Sequence, residues 1–197
     1  MDHRISLIAA LVLISTSALA ASPPLEFKTL VIGAPTTPEQ VEAALTTPCG
    51  MSGGTCDDLA KKIQEMRRVK CGLGGSGMQV CNGSTTIAGT TTQVNVVIGS
   101  DGLLQRIHLT FSDYGYEDVH QALTHKFGAA QKVSHPTLQN GFGASFRQET
   151  SIWNGAQGTQ MLLNKYAGDV DHSDVYISTQ KDRDLMTGRH AAPSSDL

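Results

Sequence analysis

The sequence predicts an α+β fold in which helices pack on an antiparallel sheet. Three observations lead to it. A capped helical signature opens at Thr37, a second helical run with acids at its start opens at Asp57, and a third amphipathic run begins near Tyr116. Two-residue apolar alternation fills the stretches between and after them. Glycine-containing turns separate the alternating stretches. Helical runs that do not alternate regularly with strands favour layered α+β packing over a parallel sheet.

The first element is a targeting signal. "MDHRISLIAALVLISTSALAASPPL" opens with Arg4, continues apolar from Ile5 to Ile14, and ends in the small-residue signature Ala18-Leu19-Ala20. This is the pattern of a secretory signal peptide over residues 1–20, cleaved between Ala20 and Ala21. A membrane anchor needs about 20 apolar residues, and Ser15, Thr16 and Ser17 interrupt the run too early. The expected compartment is the periplasm or the medium, with no membrane span after cleavage. The exported domain is expected over 21–180, the size of one ordinary domain or two small ones.

"TPEQVEAAL" reads as the first helix. Thr37 is its N-cap, Pro38 lies in its first turn, and Gln40 completes a capping box. "DDLAKKIQEMRR" reads as the second, with Leu59, Ile63 and Met66 on one face. Asp57 and Asp58 suit its positive end, and Arg67, Arg68 and Lys70 its negative end. The basic run Lys61–Lys70 thus falls on a solvated helix face. With 18 acidic and 15 basic residues, a net charge of −3 leaves no electrostatic footprint for nucleic acid.

Between Cys71 and Cys81, Gly72, Gly74 and Gly77 spell the G-x-G-x-x-G of a dinucleotide-binding loop. That loop must follow a strand and open a helix. Here a helix precedes the motif and the extended "MQVCNGSTTIAG" follows it. The glycines therefore read as a turn, and no cofactor is implied.

"TTTQVNVVIGSDGLLQRIHLTFS" reads as a hairpin. Val94, Val96 and Ile98 alternate on one arm, and Ile107, Leu109 and Phe111 on the other. His108 falls on the opposite strand face with Arg106 and Thr110. In the third helix Tyr116, Val119, Leu123 and Phe127 share a face, and Gly128 stops it. "SFRQETSIWN" and "TQMLLNKY" flank the turn "GAQG", and "SDVYISTQ" forms a last strand. Residues 181–197 are too polar to pack and are expected to form a mobile tail. The order offers two similar halves, 25–113 and 114–180, each a helical opening followed by a meander. No residue-level repeat is visible between them.

This plan resembles that of the β-lactamase-inhibitor-like proteins and the related small outer-membrane lipoproteins. "IGAPTTPEQVEAALTTP" is similar to their opening, a glycine-containing turn leading into a helix that ends near a proline. The resemblance implies envelope assembly or inhibition of another protein. No cysteine stands directly after the cleavage site, where Ala21 lies, which argues against the lipoprotein branch.

Four cysteines in an exported chain point to two disulfides among Cys49, Cys56, Cys71 and Cys81. Their spacing fits neither a zinc site nor C-x-x-C redox chemistry. A helix from 57 to 68 spans about 18 Å at about 1.5 Å per residue, and three extended residues return only about 10 Å. Bridged Cα atoms lie within about 7 Å. This disfavours Cys56–Cys71, and the expected pairing is Cys49–Cys56 with Cys71–Cys81.

No catalytic residue is assigned. His120 and His125 lie five residues apart on one helix, about 140° around its axis, which is too wide for one metal. No G-x-S-x-G occurs. Asp169, Asp171 and Asp174 cluster as candidate ligands for a hard cation. The EF-hand positions 6 and 12 hold Asp174 and Gln180 in place of Gly and Glu, so an acidic turn is the better reading. The expected function is an exported, non-catalytic protein-binding module, such as an inhibitor, an immunity factor or an envelope-assembly factor. Its expected partner is another envelope or secreted protein. Tyr114, Tyr116 and Trp153 are candidate aromatic contacts, with core packing as the competing role. The alternative is a small periplasmic hydrolase whose site assembles only in three dimensions.

Overall fold

A computed structural model describes residues 22–46, 57–139 and 143–191. The signal segment, the Ala20–Ala21 cleavage site, Cys49, Cys56 and residues 192–197 lie outside the described residues.

A short hairpin, β1 (Glu26–Phe27) with β2 (Leu30–Val31), precedes helix α1 (Pro38–Leu45). Helix α2 (Asp58–Arg67) follows, and then four strands: β3 (Lys70–Leu73), β4 (Gln79–Ile87), β5 (Thr90–Ile98) and β6 (Leu104–Ser112). Helix α3 (Tyr116–Phe127) separates these from β7 (Lys132–Ser134), the small hairpin β8 (Thr137–Gln139) with β9 (Ser145–Arg147), β10 (Thr150–Asn154), β11 (Gln160–Asn164) and β12 (His172–Ser178). Helix α4 (Gln180–Ala191) is last.

Eight strands form one antiparallel sheet in the order β3-β4-β5-β6-β12-β11-β10-β7. Residues 70–112 supply one half and residues 132–178 the other, meeting where β6 pairs with β12. The alternation read from the sequence fixes which face is apolar. Val94, Val96, Ile107, Leu109, Met161, Leu163, Val175 and Ile177 all point to one side and are buried. Val41 and Leu45 of α1, Tyr116, Val119 and Leu123 of α3, and Leu25, Phe27 and Leu30 of the first hairpin complete that core. Each such side chain contributes about 1.5–3 kcal/mol by leaving water.

The expected capping box is in place, and the structure adds an N-cap at Asp57. Thr37 Oγ1 accepts from the Gln40 amide at 3.4 Å, and Gln40 Oε1 accepts from the Thr37 amide at 2.9 Å. Asp57 accepts from the Ala60 amide at 2.7 Å. Gly128 ends α3 with φ 80°, a backbone that β-carbons disfavour.

Three expectations are corrected. Leu59 and Met66 of α2 are 67% and 71% exposed, so the apolar stripe of this helix is not buried among the described residues. The expected polar tail is a helix from Gln180. Polar groups hold α4 in place of an apolar face. Thr179 Oγ1 accepts from the Asp182 amide, the buried Asp182 carboxylate accepts from Tyr176 OH at 2.8 Å, and the Arg183 guanidinium donates to the Gly158 and Ser178 carbonyls. Third, a short residue-level repeat does exist. Gly74-x-x-Gly77-x-Gln79 and Gly155-x-x-Gly158-x-Gln160 build the same tight turn. Ser76 and Gln157 both sit in the left-handed region, at φ 60° and 55°, and Gly77 and Gly158 follow at 72° and 71°. Each turn closes with the first glycine amide donating to the carbonyl four residues on, at 2.8 and 2.9 Å. The glycines of the apparent nucleotide fingerprint thus make a strand-to-strand turn, and no helix N-terminus stands there to hold a phosphate.

Candidate functional site

The helices α1 and α3 cover one face of the sheet, and the other face is largely open. Ladder register places one residue from every strand of the open face in a single row: Lys132, Ile152, Leu162, Tyr176, His108, Asn95, Asn82 and Lys70. The centre of the row, from Ile152 to Asn95, is half-buried, and its ends are exposed. A neighbouring row runs Ser134, Thr150, Asn164, Asp174, Thr110, Gln93 and Ser84. Helix α4 closes one end of the face, where the outward-pointing Val97 and Ser178 are buried.

Two hydrogen-bonded chains cross this surface. In one, Thr150 Oγ1 donates to Asn164 Oδ1 at 2.8 Å, and Asn164 Nδ2 donates to Asp174 Oδ1 at 2.8 Å. His108 Nε2 meets the other carboxylate oxygen of Asp174 at 3.0 Å. A carboxylate can only accept, so Nε2 carries the proton in this bond and Nδ1 is left to other partners. In the other chain, the Arg106 guanidinium donates to Tyr176 OH at 3.2 Å, and that hydroxyl donates to Asp182. Arg106 also lies 3.7 Å from the Asp182 carboxylate. Burial pushes the Tyr176 phenol above its ordinary pKa, the Arg106 contact opposes that, and the Asp182 carboxylate reinforces it. The Tyr176 and His108 rings meet edge to face, 5.5 Å between centroids. The charges at the centre of the face are therefore paired within it. Amides, hydroxyls and the Ile152–Leu162–Tyr176 stripe are what it offers outward.

The residues singled out from the sequence divide differently. Tyr114 is 94% exposed, on the turn after β6. Tyr116 and Trp153 are corrected from candidate contacts to core residues. Both are buried; Trp153 Nε1 donates to the Gly128 carbonyl at 2.9 Å and Tyr116 OH to Glu149 at 2.9 Å. Asp169, Asp171 and Asp174 do not converge. Asp169 accepts from the Asp171 amide and from His172 Nδ1 within its turn, while Asp174 faces His108 on the sheet. Hydrogen bonding to His172 holds the Asp169 carboxyl below its usual range. Among the described residues no three His, Cys, Asp or Glu side chains group as a metal site would require. Cys71 and Cys81 are bridged, directly opposite one another on β3 and β4.

Sequence alternation correctly places Arg106, His108 and Thr110 on one outward face. It misses Asn164, Tyr176 and Asp182, because the pairing of β12 with β6 joins residues about 70 positions apart, as in Arg106–Tyr176. No protein-family model, no curated protein and no solved structure matches the chain. The class that fold and site define is an α+β protein with α1 and α3 on one side of an eight-stranded antiparallel sheet and, on the other, a polar face that α4 closes at one end. Among the described residues, no helix is long and apolar enough to cross a membrane.

Proposed function

We propose that this chain is exported, loses residues 1–20, and binds another envelope or secreted protein through the open sheet face without catalysing a reaction. The row from Lys132 to Lys70 supports this reading. It spans the full width of the sheet, has an apolar and aromatic centre, and keeps its central charges paired. Interfaces concentrate affinity in such centres, with polar groups around them. The resemblance to the β-lactamase-inhibitor-like proteins points the same way. Because the charges at the centre are paired within the face, the complex should tolerate salt better than one held by charge pairs across the interface.

The test uses the mature chain immobilised against exported proteins of the source cell, at low and high salt. One partner should be captured at both. Asn95→Arg, at the edge of the half-buried centre of the row, should abolish capture. Gln121→Arg, on the exposed side of α3, should leave it intact. A partner lost with Q121R and retained with N95R refutes the assignment of the face. N-terminal sequencing of the exported chain tests processing, and a retained Met1 refutes it. Turnover of ester, glycoside, peptide or phosphate substrates, abolished by His108→Ala, would establish the hydrolase alternative.

A further inference from the structure

Away from the open face, a cleft of about 590 Å³ lies where β10 begins and β11 ends, beside the β8–β9 hairpin. His135, Arg147, Glu149, Lys165, Phe146 and Tyr166 line it. Its walls are fixed by buried polar contacts. The Gln148 side chain, only 7% exposed, accepts from the Tyr166 amide and donates to the Tyr166 carbonyl, both at 2.8 Å. The Lys165 amide donates to the Glu149 carbonyl at 2.9 Å, and the buried Ser173 hydroxyl donates to the Lys165 carbonyl. The backbone that carries Lys165 and Tyr166 is thus held on both sides.

Charge within the cleft is unbalanced. Its one carboxylate, Glu149, is held at one oxygen by a hydrogen bond and has the His135 ring near the other. Tyr116 OH donates to Oε1 at 2.9 Å, and His135 Nδ1 lies 3.8 Å from Oε2. The Lys165 ammonium sits 5.4 Å from the Tyr116 ring centre. Among the described residues, neither Lys165 nor Arg147 has an ion-pair partner. Two permanent cations therefore face one carboxylate, on a chain whose overall charge is −3. The Phe146 and Tyr166 rings, 6.2 Å apart and edge to face, give the cleft an apolar wall.

We propose that this cleft binds a compact oxyanion, phosphate or carboxylate, between Arg147 and Lys165. Arg147 supplies a planar fork suited to two oxygens, and Lys165 a mobile point charge. The pinned backbone fixes where the Lys165 stem enters the cleft. The site is separate from the sheet face, and its test can succeed where the docking reading fails.

Calorimetric titration of the intact mature chain with inorganic phosphate, and in parallel with acetate, reads the site. Saturable, single-site binding of one or both anions is expected, and the tighter of the two distinguishes a tetrahedral from a planar ligand. Lys165→Gln and Arg147→Gln should each weaken it about tenfold or more, because each removes a charge-assisted contact. Lys165→Arg should restore most of the affinity. Glu149→Gln should tighten binding, since it removes the opposing charge and keeps an acceptor for Tyr116. Thermal melts confirm that each variant is folded. Asn95→Arg should leave anion binding unchanged, which separates this result from the docking test. Absence of saturable binding by the unmodified chain overturns the proposal, as do K165Q and R147Q variants that bind equally well or an E149Q variant that binds more weakly.

Discussion

His108 Nε2 on β6 and Asp174 Oδ2 on β12 stand 3.0 Å apart across the seam where the two halves of the sheet meet. The bond belongs to a chain that continues through Asn164 to Thr150, so four strands share one polar network. Asp174→Ala removes the acceptor for both His108 and Asn164. It should cost about 1–2 kcal/mol, because it strands two half-buried donors. A double-mutant cycle with His108→Ala in urea denaturation should give a coupling of up to about 1 kcal/mol, as for partly exposed pairs. Strict additivity would show that the contact adds no stability.

Trp153 is the only tryptophan of the chain and is 1% exposed. Its fluorescence should resist quenching by acrylamide in the folded protein and shift to the red on unfolding. Trp153→Ala should destabilise by about 3–5 kcal/mol through the void it leaves. Ready quenching in the native state would return Trp153 to the surface.

Alkaline pH should unfold the protein in a way traceable to Tyr116. Burial, and then its hydrogen bond to the Glu149 carboxylate, push the phenol well above its ordinary pKa. The folded state therefore keeps a proton that the unfolded chain releases near pH 10. The contribution of this group to stability is intact below that pH and falls as pH rises above it. Tyr176 is shifted the same way. Denaturation midpoints measured between pH 8 and about pH 11 should decline, and Tyr116→Phe should flatten the decline.

Two glycines near the Cys71–Cys81 bridge should respond oppositely to alanine. A β-carbon at Gly83 would meet the Val69 Cα at 2.5 Å and its amide nitrogen at 2.8 Å. That is backbone just ahead of β3, with no room to yield, so Gly83→Ala should cost about 2 kcal/mol or more. Gly72 has open space around the same position, and Gly72→Ala should be neutral or slightly stabilising. Thermal melts of the two variants read the difference directly. Equal melting points would mean that the close approach at Gly83 is not maintained.

Much of the fold is legible locally. The Thr37–Gln40 capping box and the stop at Gly128 depend on contacts within a few residues, so sequence spacing reveals them. Alternation along β5 and β6 likewise separates the core residue Ile107 from the outward His108. Helix α4 is illegible for the opposite reason. Its anchors are Asp182 against Tyr176 and Arg183 against Gly158, and a polar contact leaves no periodic signal.

By itself, then, the sequence determined the α+β class, the starts and stops of the first three helices, and which side of each hairpin arm is apolar. All of these follow from short-range sterics and from hydrophobic period. The tertiary structure alone decided that Tyr116 and Trp153 are core, that Asp174 pairs with His108 and leaves Asp169 behind, and that Arg147 and Lys165 share a cleft. Each of those outcomes depends on strands adjacent in the sheet but distant in the chain. Side-chain period says which face a residue occupies, and only strand order says what lies beside it.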